Sequence, residues 1–202
     1  MENVLKRIVK VKHGFKPIER EAKKIFELNL VKDCIALAKD FLRRDAYQIR
    51  CLAVFLLGYC ASQDKKALHI LKTKVSKDTS WQVQEILAKA FDHYCKEIGY
   101  ENSLPVIKSW LNDTNPNICR AVTEGLRIWT NRPFFKENPK LAIDLISQHR
   151  SSESNYLRKS VGNALRDISK KYNNLIENEL SKWDLSDTKV NFTYKRIVKN
   201  IT

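Results

Sequence analysis

Apolar residues along this chain recur three and four positions apart with charged residues between them, and strand-like alternation is scarce. Ile25, Leu28 and Leu30, followed by Ile35, Leu37, Ala38, Phe41 and Leu42, predict two short amphipathic helices. Residues 46–60 predict a strongly apolar helix whose partner spans 67–75. By the same periodicity 81–98 pairs with 104–111, 117–129 with 139–148, and 156–172 with 175–180, while 190–201 closes the chain. Turn signals fall between them at Ser62-Gln63-Asp64, from Asn112 to Pro116, from Asn131 to Pro133 and from Ser151 to Asn155.

The helix pairs repeat. Arg50, Gln84, Arg120 and Arg158 form one column, at intervals of 84−50 = 34, 120−84 = 36 and 158−120 = 38 residues. An apolar residue follows each about two turns later: Leu57, Phe91, Leu126 (one residue early) and Leu165. Asp45, Asp78 and Asp113 stand near the helix entries, where side-chain oxygens can take up exposed amides. A helix pair recurring at this interval predicts an all-α fold, an α-solenoid of HEAT-like antiparallel helix pairs with a basic concave groove. The alternative is a plain helical bundle. The expected organisation is a single domain over 1–202: an N-terminal helix and linker at 1–17, about five helix pairs over 18–182, and a capping helix over 183–202.

In this alignment the position four residues after the column reads Val54, Ala88, Glu124 and Gly162. Three of these suit close helix packing and the fourth is a carboxylate, a misfit of the kind functional sites produce. The competing account rotates the third helix slightly and makes Glu124 an ordinary surface charge.

Composition narrows the partners. Of 202 residues 43% are hydrophobic and 30% charged, which fits a folded soluble chain; no apolar stretch approaches 18 residues, and no secretory signal pattern opens the sequence. Five cysteines, an odd count without close CxxC spacing, argue against a disulfide framework or zinc site, and the four histidines, His13, His69, His93 and His149, are scattered. No metal or cofactor is therefore expected, and free thiols fit a cytoplasmic location. A net charge of +14 favours a polyanion, with nucleic acid ahead of acidic proteins or membrane headgroups. Zinc-finger, RRM and bZIP patterns and Gly-rich phosphate loops are all absent from the sequence, so duplex recognition through shape and backbone is expected.

Three stretches, Ser80-Trp81-Gln82-Val83-Gln84-Glu85, Cys119-Arg120-Ala121-Val122-Thr123-Glu124-Gly125 and Tyr156-Leu157-Arg158-Lys159-Ser160-Val161-Gly162-Asn163 with its continuation to Lys170, resemble the bacterial DNA alkylation repair family. That family is the HEAT-like group containing the AlkC and AlkD glycosylases; His13-Gly14-Phe15-Lys16-Pro17-Ile18-Glu19 looks like the AlkC branch. The resemblance implies monofunctional excision of cationic N3- or N7-alkylated purines from duplex DNA by a monomeric, nucleoid-associated bacterial protein. It carries a lesion-contacting Trp/acid pair onto Trp81 and Glu85, and an Arg/Glu pair onto Arg120 and Glu124. Asp167 matches a further acidic position. Where the AlkD branch has a second lesion-contacting Trp this chain has Asn163. The family also contains relatives that only bind DNA, so a non-catalytic scaffold binding DNA or an acidic protein is the alternative.

These side chains suit the chemistry. An alkylated purine is already cationic and leaves readily, through an oxocarbenium-like sugar. A fixed carboxylate, Glu124 or Glu85, can stabilise that cation and orient the attacking water. Trp81, one turn before Glu85, can hold a cationic base by cation–π attraction, about 0.5–2 kcal/mol; the alternative is that it closes the core near a helix start. Arg120, one turn before Glu124, can grip a phosphate or form a surface pair worth under ~1 kcal/mol. Arg50, Arg158 and Lys89 are the expected DNA-backbone contacts, although a repeated arginine can equally bond within and between repeats. Trp110, Trp129 and Trp183 are expected to pack.

Overall fold

In the computed structural model, which describes residues 1–199, every regular element is helical, as the periodicity predicts. The chain divides into two units, Met1–Gly99 and Tyr100–Thr202.

The first unit contains α1 (Glu2–Val9), α2 (Lys16–Glu27), α3 (Val31–Phe41), α4 (Tyr47–Cys60), α5 (Lys65–Thr73), a 3-10 turn (Val75–Lys77) and α6 (Trp81–Ile98). Helix α4 is apolar nearly all round because it is covered on all sides, packing on α1, α2, α3, α5 and α6. Gly58 lets α6 approach closely: a Cβ there would stand 2.9 Å from Ala90 Cα. The expected first helix is displaced, since α2 ends at Glu27 and leaves Leu28 and Leu30 exposed.

The second unit contains α7 (Leu104–Leu111), α8 (Pro116–Trp129), α9 (Pro133–Glu137), α10 (Pro139–Ser147), α11 (Asn155–Leu180) and α12 (Thr188–Val198). Helices α8 and α10 pack on α11, which also carries α12. Trp110, Trp129 and Trp183 are buried, and so are all five cysteines, as free thiols. Helix α9 fills the stretch between the expected turn at 131–133 and the helix expected from 139; Pro133 opens it, its missing amide costing nothing in a first turn. Helix α11 spans the two helices expected there and breaks at Tyr172 (φ −128°, ψ 48°), whose hydroxyl lies 3.3 Å from the carbonyl oxygens of Thr130 and Lys136. The expected end of the last helix at Ile201 lies outside the described residues.

The start of each first helix shows what the repeated column does. Arg50 Nη1 donates to the carbonyls of Arg44 (3.1 Å) and Asp45 (2.6 Å). Gln84 Nε2 donates to those of Val75, Ser76 and Asp78 at 3.3, 3.2 and 2.7 Å. Arg158 Nη1 donates to Ser152 and Glu153. In α8 the residue in this role is Cys119, with Sγ 3.7, 3.2 and 3.2 Å from the carbonyl oxygens of Trp110, Leu111 and Asp113. Each lies three residues after its helix start: Tyr47, Trp81, Pro116 or Asn155.

The alignment on Arg120 is thus wrong by one residue. The column is Arg50, Gln84, Cys119 and Arg158, and the apolar position seven later becomes Leu57, Phe91, Leu126 and Leu165 without exception. The small position reads Val54, Ala88, Thr123 and Gly162, all buried. Glu124 is not a misfit in that column; it shares a position with Phe55, Lys89 and Asn163, while Arg120 shares one with Glu85.

Arg50 and Arg158 thus bond within their repeats, as the alternative for a repeated arginine has it. Their guanidinium groups take up carbonyls of the turn that precedes the helix. Arg50 also makes a two-pronged ion pair with Asp78 (Nε–Oδ2 2.7 Å, Nη2–Oδ1 3.2 Å). Asp78 Oδ1 in turn accepts from the Ser80 amide at 2.8 Å, tying α4 to the start of α6. The two side chains are 17% and 11% exposed. Asp78→Ala is therefore expected to cost about 2 kcal/mol, between an exposed pair and a fully buried one. Urea denaturation of wild type and variant measures it, and a loss within error of zero would refute the tie.

Candidate active site

In the first unit, α6 presents Trp81, Glu85 and Lys89 at successive four-residue intervals, hence along one stripe of the helix. Trp81 is 64% exposed, so the alternative in which it closes the core does not hold. Its indole at the first position of α6 is open to a ligand. Lys89 is exposed and Glu85 half-buried on the same stripe.

In the second unit, α8 and α11 bring together residues far apart in sequence. Glu124 accepts from Ser160 Oγ through Oε1, a short contact, and pairs through Oε2 with Arg127 Nη1 at 3.2 Å. The other arm of Arg127 reaches Asp167 Oδ2 (2.6 Å), and Lys170 approaches Asp167 Oδ1 at 3.1 Å. Arg127 therefore bridges two of the three carboxylates that the sequence singles out, Glu124 and Asp167. Ser160 is buried, so its hydroxyl is held by packing, whereas the Glu124 side chain remains 20% exposed. Burial works to raise the Asp167 pKa, but the Lys170 hydrogen bond and the charges of Arg127, Lys170 and Arg166 outweigh it and hold the carboxyl below its usual value. Arg120 lies over the Tyr156 ring, 4.7 Å from its centroid.

Glu124 is a fixed anion with capacity left over. An ionised carboxylate offers about four acceptor positions, and the contacts with Ser160 and Arg127 use two of them. The remainder can accept from a water or face a developing cation. Asp167, with Lys170 and Arg127 on separate oxygens, mainly anchors Arg127.

Reasoning from sequence does not find Ser160, Arg127 or Tyr156. Arg127 stands three residues after Glu124, a helical neighbour, and that spacing is the signal available for it. Ser160 carries no such signal, because its meeting with Glu124 depends on how α11 packs on α8. Among the described residues no His/Cys/Asp/Glu group is arranged to hold a metal ion.

Comparison with known proteins bears on the family and the fold. A family model described as "DNA alkylation repair enzyme" matches residues 13–188. The crystal structure of AlkD2 from Streptococcus mutans is similar over 98% of this chain and 96% of its own, with 48% identity and a TM-score of 0.94. The Pseudomonas fluorescens alkylpurine DNA glycosylase AlkC, bound to DNA containing an abasic site analog, shares the fold at a TM-score of 0.71 and 18% identity; 92% of this chain matches 52% of that one. The expected leaning toward AlkC is thus revised, identity being much higher with AlkD2. The Bacillus subtilis (strain 168) protein YhaZ is 30% identical over 87 residues, which make up 41% of this chain and only 24% of YhaZ.

Proposed function

We propose, for a chain that belongs to the DNA alkylation repair enzyme family, the hydrolytic excision of cationic N3- or N7-alkylated purines from duplex DNA. The observation that carries this reading is the Glu124 carboxylate, fixed by Ser160 and Arg127 and with acceptor positions to spare. Such a group stabilises the sugar cation as the base departs and orients the water that replaces it. No strong general acid is required, since the positively charged base leaves as a neutral one.

Glu85 is the second candidate carboxylate, and Trp81 beside it offers an exposed face to the cationic base. Arg120 and Lys89 are the proposed contacts to the strand, with Asp167 acting through Arg127 rather than on the lesion directly. A net charge of +14 supplies the attraction to the duplex, and an AlkC relative bound to DNA supports the same partner. No described helix is long and apolar enough to cross a membrane. We place the protein, as a monomer, on bacterial nucleoid DNA.

A second reading, a DNA-binding scaffold without catalysis, is favoured by Arg127, whose charge offsets both Glu124 and Asp167. Release of 7-methylguanine and 3-methyladenine from methylated duplex DNA decides between the two. The wild-type chain is expected to release at least one of these bases, and a double variant carrying Glu85→Gln and Glu124→Gln is expected to release neither. Salt-sensitive duplex binding without release would retire the catalytic reading.

A further inference from the structure

We propose that a cavity of about 540 Å³ in the first unit, walled by the C-terminal ends of α3 and α5, binds a nucleotide-type phosphate ester. Its rim carries Lys39, Arg43, Lys74 and Lys77, and its floor is Leu42, Ile70 and Val75. The size suits a small ligand, since such sites run from about 300 to 1,000 Å³.

Charge gives the ligand its sign. All four rim cations are exposed, and among the described residues none takes part in an ion pair. The acidic groups nearby are already matched: Asp78, which also lines the cavity, by Arg50 at 2.7 Å, and Asp40 by Arg44 at 3.0 Å. The ordinary explanation for cations here is the negative end of each helix, worth roughly half a charge apiece. Lys39 in the last turn of α3 and Lys74 at the end of α5 satisfy that need in full. Arg43 lies beyond the end of α3 and Lys77 beyond that of α5, where it closes a single 3-10 turn too short to add a comparable dipole, so both are surplus to it. An anion of two or more charges is what the rim lacks.

The floor gives the ligand its body. Ile70 and Val75 are buried and Leu42 half-buried, so a bare phosphate would leave an apolar surface uncovered while a base or sugar would cover it. Phosphate on the rim and base or sugar on the floor is the arrangement of a nucleotide, free in solution or part of a DNA strand. The assignment does not depend on base excision, since no residue proposed for that reaction lines the cavity.

The test uses the full-length chain and calorimetric titration with deoxyadenosine diphosphate, inorganic pyrophosphate and an unmodified single-stranded oligonucleotide. The double variant Arg43→Gln, Lys77→Gln is expected to weaken diphosphate binding about tenfold or more at an unchanged melting temperature. Leu42→Asn is expected to weaken the nucleotide and leave pyrophosphate unaffected. An oligonucleotide that binds with the same dependence on Arg43 and Lys77, where the free nucleotide does not, identifies a DNA strand as the source of the ester. Pyrophosphate binding as tightly as the nucleotide would overturn the proposal. So would the absence of binding, or binding of both nucleotide and oligonucleotide indifferent to the charge variant.

Discussion

Trp129→Ala is expected to cost about 3–5 kcal/mol of stability, the range for losing a fully buried large aromatic side chain. The ring has no solvent-accessible surface and packs against the rings of Tyr100 (centroids 5.1 Å apart) and Phe135 (5.7 Å), which also touch each other at 6.0 Å. Its third wall is its own helix. A Cβ on Gly125 would stand 2.4 Å from Trp129 Cζ2, so the indole lies flat along α8 because residue 125 has no side chain. This gives a packing reason for the Glu-Gly dipeptide by which the chain resembles its family: Gly125 seats the tryptophan and Glu124, next to it, faces the candidate site. Truncation would leave a cavity that three surrounding elements cannot close without moving α8. Urea denaturation gives the value through the midpoint at constant m. A cost below about 1.5 kcal/mol would mean that the ring is not packed as described.

The helices were legible because their apolar stripes and their caps agree with each other. Of the acids expected to cap helix entries, Asp78 and Asp113 accept from the amides of Ser80 and Asn115 just ahead of α6 and α8. First-turn amides are taken up instead by Asp64, Asn115 and Ser154, which lie within the expected turns. The register was legible only in part. Arg120 aligns with Arg50 and Arg158 by residue type alone; the role in that column is to donate to carbonyls of the preceding turn, which glutamine does in α6, while in α8 a cysteine faces them with its single S–H. Leu126, one residue early against the arginine alignment, was the sequence signal of the slip. The exposed Trp81 and the Glu124 carboxylate kept their interest for reasons independent of that alignment. What no local pattern could show is the link from Glu124 to Ser160, 36 residues later, because packing of α11 on α8 creates it.

That link makes the sharpest functional prediction. Glu124→Gln is expected to lower base release by about 10²–10³-fold, the usual consequence of removing one preorganised electrostatic group from a site where charge develops. The amide is nearly the same shape, so folding should survive and the duplex should still bind. Ser160→Ala removes no charge and leaves Arg127 in place, but it frees one carboxylate oxygen from its holder. A hydrogen bond to a charged group is worth about 1.5–3 kcal/mol, so a tenfold to hundredfold loss is the expected ceiling, falling on the chemical step rather than on duplex affinity. Because Ser160 would be a positioning residue acting through Glu124, its effect should vanish in the Glu124→Gln background, where there is no anion left to orient. Single-turnover rates for the two single variants and the double variant form the cycle. Strict additivity would mean that Ser160 supports the fold of α11 and nothing more. A double variant no slower than Glu124→Gln alone would place the two residues in one device, with Arg127 holding the second oxygen while the first is steadied for the reaction.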